Sequence, residues 1–342
     1  MGVAGKKTTQ QEIRIMNKEI KIEELSSYKH GDTLSDLALA LIKQQIASWE
    51  LPARNYQALQ GVEVKELKVS GLTMKVQFNS SRIVSSSAKV DAKSIRERKC
   101  FLCSDHLPQQ QKGLLFEDAY LILVNPFPIF TKHLTIPALK HTDQLIRLRL
   151  GDMLELSRSL YDFVIFYNGP KCGASAPDHM HFQAGNKGFM PLEKDWDQLY
   201  RAQAVPVVSQ PDITVSRLPG YHHAMLVLES EDKNAILAWF EKIYTLLPVL
   251  QDEPEPMMNL LCRYEEGTWT LWVFPRKLHR PRQYFAEGDD NLLISPASVD
   301  LGGVFITPLE KDFRKISAAD IEDILGQISL DAADFEELCK NL

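Results

Sequence analysis

Residues 179–184 read HMHFQA, so two histidines and a glutamine alternate with apolar side chains. Because side chains alternate along an extended strand, His179, His181 and Gln183 are predicted to share one face, while the apolar residues face a core. A lone histidine in such a strand would be interpreted as an ordinary core residue. Three polar side chains on one face favour a functional site instead, since burying them without a role would require many compensating hydrogen bonds.

A glycine-containing turn, NGPKCGAS at residues 168–175, comes directly before this strand. Gly169 and Gly173 can adopt left-handed backbone conformations, which let backbone N–H groups approach an anion closely. Lys171 can add a positive charge. Such a turn is a weak signal by itself, but next to a His-x-His-x-Gln strand it predicts a phosphate site beside a histidine nucleophile.

The chemistry predicted for this strand is nucleophilic attack on phosphorus. A neutral imidazole attacks phosphorus and leaves readily afterwards, which suits a two-step group transfer. We therefore expect His181 to displace the group on the α-phosphorus of a nucleotide and to carry a nucleotidyl-histidine until a second acceptor attacks. A backbone carbonyl of the strand would keep its other ring nitrogen protonated. Gln183 would donate a hydrogen bond to a phosphoryl oxygen, although it cannot act as an acid or a base.

The turn, the strand and the upstream NPFPIFTKHLTIP at residues 125–137 resemble the histidine-triad superfamily in its transferase branches. These branches comprise galactose-1-phosphate uridylyltransferase, diadenosine tetraphosphate phosphorylase and GDP-galactose phosphorylase. The resemblance covers residues 98–190 well. Residues 205–342 resemble more weakly the second, catalytically empty half of the same enzymes.

This resemblance implies roles for individual residues. By it, His181 is nucleotidylated and Gln183 contacts the phosphoryl group. The resemblance also implies that the phosphates contact Asn168, Gly173 and Ser175. It implies that the nucleoside lies beside Asn125 and Phe127.

Cys100 and Cys103 form a lone Cys-x-x-Cys step, which is a weak signal for zinc because two more ligands are needed. In zinc-containing members of the superfamily, a histidine after the HxxxIP-type strand and the first triad histidine complete the site. By this resemblance the further ligands are His141 and His179, in a closed structural zinc site. His106 is a rival third ligand, and two buried free thiols are the alternative without metal.

Two basic segments are further candidates for substrate binding. Arg82 lies in a Ser-rich loop at residues 79–87 that could border a ligand, and Arg276 begins a basic cluster that could receive a second phosphorylated group. A solvated surface loop is the alternative for both segments. His222 and His223 are interpreted as ordinary capping or surface residues. The other cluster members are Lys277, His279, Arg280 and Arg282.

Composition excludes several classes of protein. The chain has 342 residues, 39 basic and 45 acidic, and the resulting charge of −6 does not favour nucleic acid as a partner. Five cysteines without an export signal make disulfides improbable, and no apolar run approaches the ~20 residues of a membrane span. We expect a cytoplasmic protein. The sequence contains no GxxxxGK[ST], no GxGxxG after a strand and no HExxH, so kinase, Rossmann and zinc-protease functions lack support.

Hydrophobic periodicity predicts an α+β fold with histidine-triad-like antiparallel sheets and covering helices. A similar order of elements occurs twice, which favours two such halves in one chain. The predicted domains are an N-terminal extension at 1–95, a catalytic domain at 96–204 and a degenerate second domain at 205–342. An acidic helix from Ser317 onward is interpreted as a solvated surface helix. The predicted strands are 62–69, 72–78, 119–125, 133–137, 162–168, 179–184, 222–230, 258–264 and 268–274, and the predicted helices are 34–49, 142–160 and 232–247.

The leading function is a nucleotidyltransferase or phosphorylase that moves a nucleoside monophosphate from a nucleotide sugar or dinucleoside polyphosphate to phosphate or a sugar phosphate. A hydrolase of the same substrates is the first alternative, although Gln183 in place of a third histidine favours transfer. The second alternative is a nucleotide-binding protein without turnover. Either a monomer or a homodimer is compatible with two halves in one chain.

Overall fold

The computed structural model describes residues 15–69, 72–83, 90–219, 224–251 and 253–342. Within these ranges no helix has both the length and the apolar character needed to cross a membrane. The strands are β1 Glu63–Val69, β2 Leu72–Phe78, β3 Gly113–Phe116, β4 Tyr120–Val124, β5 His133–Pro137, β6 Phe163–Asn168, β7 His181–Asn186, β8 Val205–Gln210, β9 Ile213–Arg217, β10 Leu226–Ser230, β11 Met258–Glu265, β12 Thr268–Pro275 and β13 Val304–Thr307. The helices are α1 Leu34–Ser48, α2 Glu50–Leu59, α3 Ala92–Glu97, α4 Leu150–Ser159, α5 Pro191–Asp195, α6 Arg201–Gln203, α7 Lys233–Leu246, α8 Arg282–Phe285, α9 Ser298–Leu301, α10 Glu310–Lys315, α11 Ala318–Ile328 and α12 Ala332–Asn341.

A ten-stranded antiparallel sheet contains two equivalent halves, and its strand order is β3-β4-β5-β7-β6-β11-β12-β10-β9-β8. In each half three strands precede a helix and two strands follow it, so β3 to β7 with α4 correspond to β8 to β12 with α7. The predicted duplication is therefore confirmed. The halves meet where β6 pairs with β11, and in that register Asn168 lies opposite Asn259.

Alternation along the strands divides the core into two layers, one on each face of the large sheet. Along β6, Ile165 and Tyr167 pack with α4 and α7 on one face, whereas Val164 and Phe166 belong to the core on the other face. The second face is covered by α11 and by a smaller sheet. Both faces of β6 are thus buried, which explains its nearly continuous apolar sequence.

The smaller sheet joins the two ends of the chain. The strands predicted at residues 62–69 and 72–78 are present as β1 and β2, which pair in antiparallel fashion. β2 also pairs in parallel with β13, from Val304 opposite Lys75 to Thr307 opposite Phe78. This parallel pairing was not predicted. As a result the N-terminal extension is tied to the C-terminal segment, so both can contribute walls to one site.

Two predicted boundaries near the site are wrong. The helix predicted at residues 142–160 begins only at Leu150, because the backbone before it is used for other contacts: Ile146 donates its N–H to Glu255 at 2.9 Å. The strand predicted at residues 179–184 begins only at His181. His179 lies in the preceding turn, where its N–H donates to the carbonyl of Ala176.

The interpretation of the C-terminal segment as a solvated surface helix is also wrong. Two helices, α11 and α12, follow Ser317, and α11 buries four aliphatic side chains against the second core. Their spacing of three and four residues forms a continuous apolar stripe. The four residues are Ile321, Ile324, Leu325 and Ile328.

This burial predicts a clear difference between two substitutions in α11. Leu325→Ala removes a fully buried side chain and should lower the free energy of unfolding by about 2 to 5 kcal/mol. Glu322→Ala, on the exposed face one turn away, should change it by about 0.5 kcal/mol or less. Chemical denaturation followed by circular dichroism measures both. Equal small effects would show that α11 does not pack on the core.

Candidate functional site

A cavity of about 400 Å³ opens beside the polar face of β7. Its walls come from the N-terminal extension, the catalytic half predicted from the sequence, and the segment after β12. Aromatic and aliphatic side chains form much of the wall, among them Trp49, Leu51 and Phe101. The polar groups that face it include Arg82, Asn168, Ser175, His181, Gln183 and Arg280.

His181 is held in one orientation and one tautomer. Its Nδ1 donates to the carbonyl oxygen of His179 at 2.8 Å, which leaves Nε2 as the unprotonated nitrogen on the cavity wall. The side chain of Gln144 accepts a hydrogen bond from the backbone N–H of His181 (2.7 Å) and donates one to its carbonyl oxygen (3.0 Å). Burial lowers the pKa of His181 to about 4, so the imidazole is neutral at pH 7. This is the arrangement that a nitrogen nucleophile requires.

Gln183 is oriented by His133, a residue that the sequence reasoning missed. The backbone N–H of Ile129 donates to Nδ1 of His133 at 3.2 Å, which places the imidazole proton on Nε2. Nε2 in turn donates to Oε1 of Gln183 at 3.0 Å. The amide N–H groups of Gln183 are thereby left for the cavity. Side chains alternate along HLTIP, with Leu134 and Ile136 in the core, and this alternation could have indicated that His133 lies on the polar face.

Asn168 is fixed in a similar way by the second half of the chain. Its Oδ1 accepts hydrogen bonds from Nδ2 of Asn259 (2.8 Å) and from both the N–H (2.9 Å) and the hydroxyl (2.7 Å) of Ser298. With the oxygen fully used, Nδ2 of Asn168 is the group presented at the cavity wall. Asn259 and Ser298 were also missed, because nothing in the local sequence relates them to Asn168.

The turn before β7 approaches the C-terminal segment closely at Gly173. Gly173 has φ of 93°, as expected from the sequence, and a Cβ there would lie 2.6 Å from Cβ of Ala297. Gly169 does not adopt the left-handed conformation; its constraint is steric, since a Cβ would lie 2.9 Å from the carbonyl of Met258. Gly173 and Ser175 both line the cavity.

The Asn-x-Phe step also lies at the cavity. The N–H of Phe127 donates to Oδ1 of Asn125 at 2.9 Å, and Nδ2 of Asn125 donates to Oγ1 of Thr135 at 2.9 Å. Arg82 lines the cavity and donates from Nη1 to the carbonyl of Phe127 at 2.8 Å. Residues 84–87 of the Ser-rich loop lie outside the described residues, as do His222 and His223.

Two predicted phosphate-binding residues do not line the cavity. Lys171 forms an ion pair with Glu253, and Arg276 is buried, with its donors used by Asn259 and by backbone carbonyls. Arg280 takes the cavity position in that basic cluster. It donates to Oγ of Ser295 at 3.1 Å, and its guanidinium lies 4.1 Å from the ring centroid of Tyr284.

Beside the cavity, Cys100, Cys103, His141 and His179 form a cluster whose four ligand atoms lie within 4.8 Å of one another. The Sγ of Cys100 lies 3.2 Å from Nδ1 of His179, and the Sγ of Cys103 lies 3.2 Å from Nδ1 of His141. A tetrahedral ion with bonds of ~2.0 to 2.3 Å sets its ligands ~3.3 to 3.8 Å apart, so these residues could hold a metal.

The contacts around the cluster determine which histidine belongs to it. Nε2 of His179 donates to the carbonyl of Ala138 at 2.8 Å, which leaves Nδ1 for a metal. His106 instead directs Nδ1 toward the carbonyl of Cys100 at 2.7 Å. The ring of His179 therefore belongs to the cluster and does not line the cavity with His181, because the residue precedes the strand.

The two halves of the chain match two family models. The model of a domain of unknown function (DUF4922) matches residues 41–186, and the model described as GDPGP1-like, C-terminal domain, matches residues 198–342. Comparison with curated proteins gives no match.

Among solved structures, the chain is similar to yeast Ap4A phosphorylase Apa2. In complex with AMP, that enzyme has 18% identity and a TM-score of 0.55, with 84% of this chain and 96% of the yeast chain covered. In complex with Ap4A it also has 18% identity and a TM-score of 0.55, with 84% and 97% covered. At this identity the likeness concerns the fold, and it supports two histidine-triad-like halves.

The contact at Gly173 predicts a difference between two glycine substitutions. Both Gly173 and Gly188 have positive φ, but a Cβ at Gly188 would meet nothing within 4 Å. Gly188→Ala should therefore lower the free energy of unfolding by the conformational cost alone, about 1 to 2 kcal/mol. Gly173→Ala should lower it by about 1 to 3 kcal/mol more, because Ala297 must move. Equal losses in urea denaturation would contradict the close packing of this turn.

Proposed function

We propose that this chain belongs to the histidine-triad-like superfamily, in its transferase branch, and that it is a nucleotidyltransferase or phosphorylase with a nucleotidyl-histidine intermediate. Its substrate would be a nucleotide sugar or a dinucleoside polyphosphate. The observation that carries the proposal is the neutral imidazole of His181, whose Nδ1 is bonded to a carbonyl and whose Nε2 lines the cavity. The fold shared with a phosphorylase solved with AMP and with Ap4A supports a nucleotide-type ligand.

In the first step, Nε2 of His181 attacks the α-phosphorus of the nucleotide. The Nε2–P bond forms as the bridging P–O bond breaks, and the leaving group keeps the electron pair. It is a sugar phosphate from a nucleotide sugar and a nucleoside polyphosphate from a dinucleoside polyphosphate. The imidazole retains its Nδ1 proton, so it becomes cationic in the intermediate. The carbonyl of His179, 2.8 Å from Nδ1, stabilises that charge.

Neutral donors would hold the phosphoryl oxygens during this step. The amide N–H groups of Gln183 and Asn168 face the cavity, because hydrogen bonds to His133, Asn259 and Ser298 occupy their oxygens. Arg82 and Arg280 supply positive charge at the same cavity for the remaining phosphates.

In the second step, an oxygen of the acceptor phosphate attacks the same phosphorus. The new O–P bond forms as the Nε2–P bond breaks, and the electron pair returns to Nε2 of His181. With inorganic phosphate as acceptor the product is a nucleoside diphosphate. With water it is a nucleoside monophosphate, which is the hydrolase alternative.

We further propose that Cys100, Cys103, His141 and His179 hold a structural zinc ion. The donor set and its spacing fit tetrahedral zinc, and four protein ligands leave no open coordination position. When bound, the ion supplies rigidity rather than Lewis acidity. Fixing the ring of His179 also fixes the carbonyl that orients His181.

The covalent intermediate can be tested by intact-protein mass spectrometry. The wild-type protein, incubated with nucleoside diphosphate sugars and dinucleoside polyphosphates, should gain the acid-labile mass of one nucleoside monophosphate. His181→Ala should gain none, whereas His30→Ala, which removes an exposed imidazole, should label like wild type.

Product analysis with and without phosphate separates the alternatives. Phosphate-dependent release of a nucleoside diphosphate supports the phosphorylase, and phosphate-independent release of a monophosphate supports the hydrolase. Ligand binding without any adduct or turnover across the panel would contradict an enzyme and favour the binding protein.

The metal site predicts the zinc content of three proteins. Wild type should contain about one equivalent of zinc by plasma mass spectrometry. Cys103→Ser should lose the zinc and unfold at a lower temperature, since a ligand is replaced. His106→Ala should retain the zinc, because His106 points away from the cluster. Zinc-free wild type, or loss of zinc from His106→Ala alone, would refute the proposed ligand set.

A further inference from the structure

We infer that Asn259 and Arg276, in the half of the chain that lacks the His-x-His-x-Gln motif, are positioning residues for Asn168. They fix its amide so that Nδ2 donates into the cavity. The inference rests on the proposed function in taking a phosphoryl oxygen as the acceptor for that donor.

The first argument is the position of Asn259 at the junction of the two halves. It lies opposite Asn168 in the β6–β11 pairing and is fully buried. Its Nδ2 donates to Oδ1 of Asn168 at 2.8 Å and to the carbonyl of Cys172 at 2.7 Å. One amide therefore holds both Asn168 and the turn that follows it.

The second argument is that Arg276 fixes which way the Asn259 amide faces. Nη1 of Arg276 donates to Oδ1 of Asn259 at 2.9 Å and to the carbonyl of Pro296 at 2.7 Å. Nη2 donates to the carbonyls of Leu278 (3.0 Å) and His279 (2.8 Å). A flipped amide at position 259 would place N–H groups against the guanidinium, with no acceptor for either donor.

The third argument is the direction of the resulting chain of hydrogen bonds. Arg276 donates to Asn259, Asn259 donates to Asn168, and Asn168 presents its remaining donor at the cavity wall. Ser298 adds two donors to the same Oδ1, so the Asn168 amide cannot flip without losing three bonds. The cavity position beside it therefore selects a hydrogen-bond acceptor, as a phosphoryl oxygen is.

A double-mutant cycle distinguishes positioning from a structural role. Asn259→Asp keeps the shape and the acceptor for Arg276, but it replaces the donor to Asn168 by an oxygen. We expect it to slow adduct formation at His181 about 10-fold, and Asn168→Ala to slow it about 100-fold, as for the loss of one preorganised donor. In the Asn168→Ala background, Asn259→Asp should cost clearly less than in the wild-type background, because the part of its effect that passes through Asn168 is already lost.

Two further variants complete the experiment. Arg276→Lys retains the charge and loses the forked contacts, and it should show the same non-additivity if Asn259→Asp does not fold. Lys242→Ala removes an exposed charge on α7 that does not line the cavity, and it should leave the rate unchanged. The inference would be overturned if the rate losses of the two single variants multiplied in the double variant, or if Asn259→Asp reacted at the wild-type rate.

A second readout separates this inference from the proposed reaction. The affinities of AMP, GMP and UMP for the same proteins, measured by calorimetry, report the phosphate contact without turnover. If wild type binds a monophosphate but forms no adduct, the proposed function fails. The double-mutant cycle, evaluated with binding free energies instead of rates, then still tests the positioning role. Non-additive affinities would support that role, and additive ones would refute it.

Discussion

The hydrogen bond from Nδ1 of His181 to the carbonyl of His179 is the constraint on which the site depends. It fixes the tautomer, so that the nitrogen facing the cavity carries a lone pair. Residue 179 lies in the turn before β7, and from there its carbonyl reaches Nδ1 of His181. The ring of His179 is thereby turned toward Cys100 and Cys103. A single residue thus links the cavity to the cysteine cluster, through its carbonyl on one side and its imidazole on the other.

The second half of the chain lacks the motif, yet it completes the site. Asn259 and Ser298 occupy the oxygen of Asn168, and Ala297 packs against Gly173 in the turn. These contacts follow from the continuous ten-stranded sheet, which places β6 and β11 side by side. In the proposed reaction this half would supply rigid neutral donors, and such preorganised dipoles stabilise charge without reorganising as the charge develops.

Local patterns in the sequence predicted much of this arrangement. Alternation placed His181 and Gln183 on the polar face and Phe182 in the core, and the repeated order of elements predicted the duplication. Residues that act across the sheet, such as Asn259 and His133, escaped prediction because single-sequence patterns do not report long-range pairing. For the same reason Arg276 was assigned to the substrate rather than to the interior. The domain boundaries, the bound zinc and the roles of individual residues stay predictions.

The donors around His181 also bear on which acceptor the proposed reaction uses. Gln183 and Asn168 are neutral amides, so neither can take a proton from an attacking group. Asp300 is the acidic side chain on the described part of the cavity wall, and its two oxygens accept backbone N–H groups of Ala297 (2.8 Å) and Ile306 (3.4 Å). Water needs a general base to attack phosphorus efficiently, whereas phosphate is already ionised at pH 7. Apart from Asp300, the polar groups on the described cavity wall are neutral or cationic, and they can hold a phosphate anion without having to deprotonate it. These groups therefore suit phosphate as the acceptor of the proposed reaction better than water.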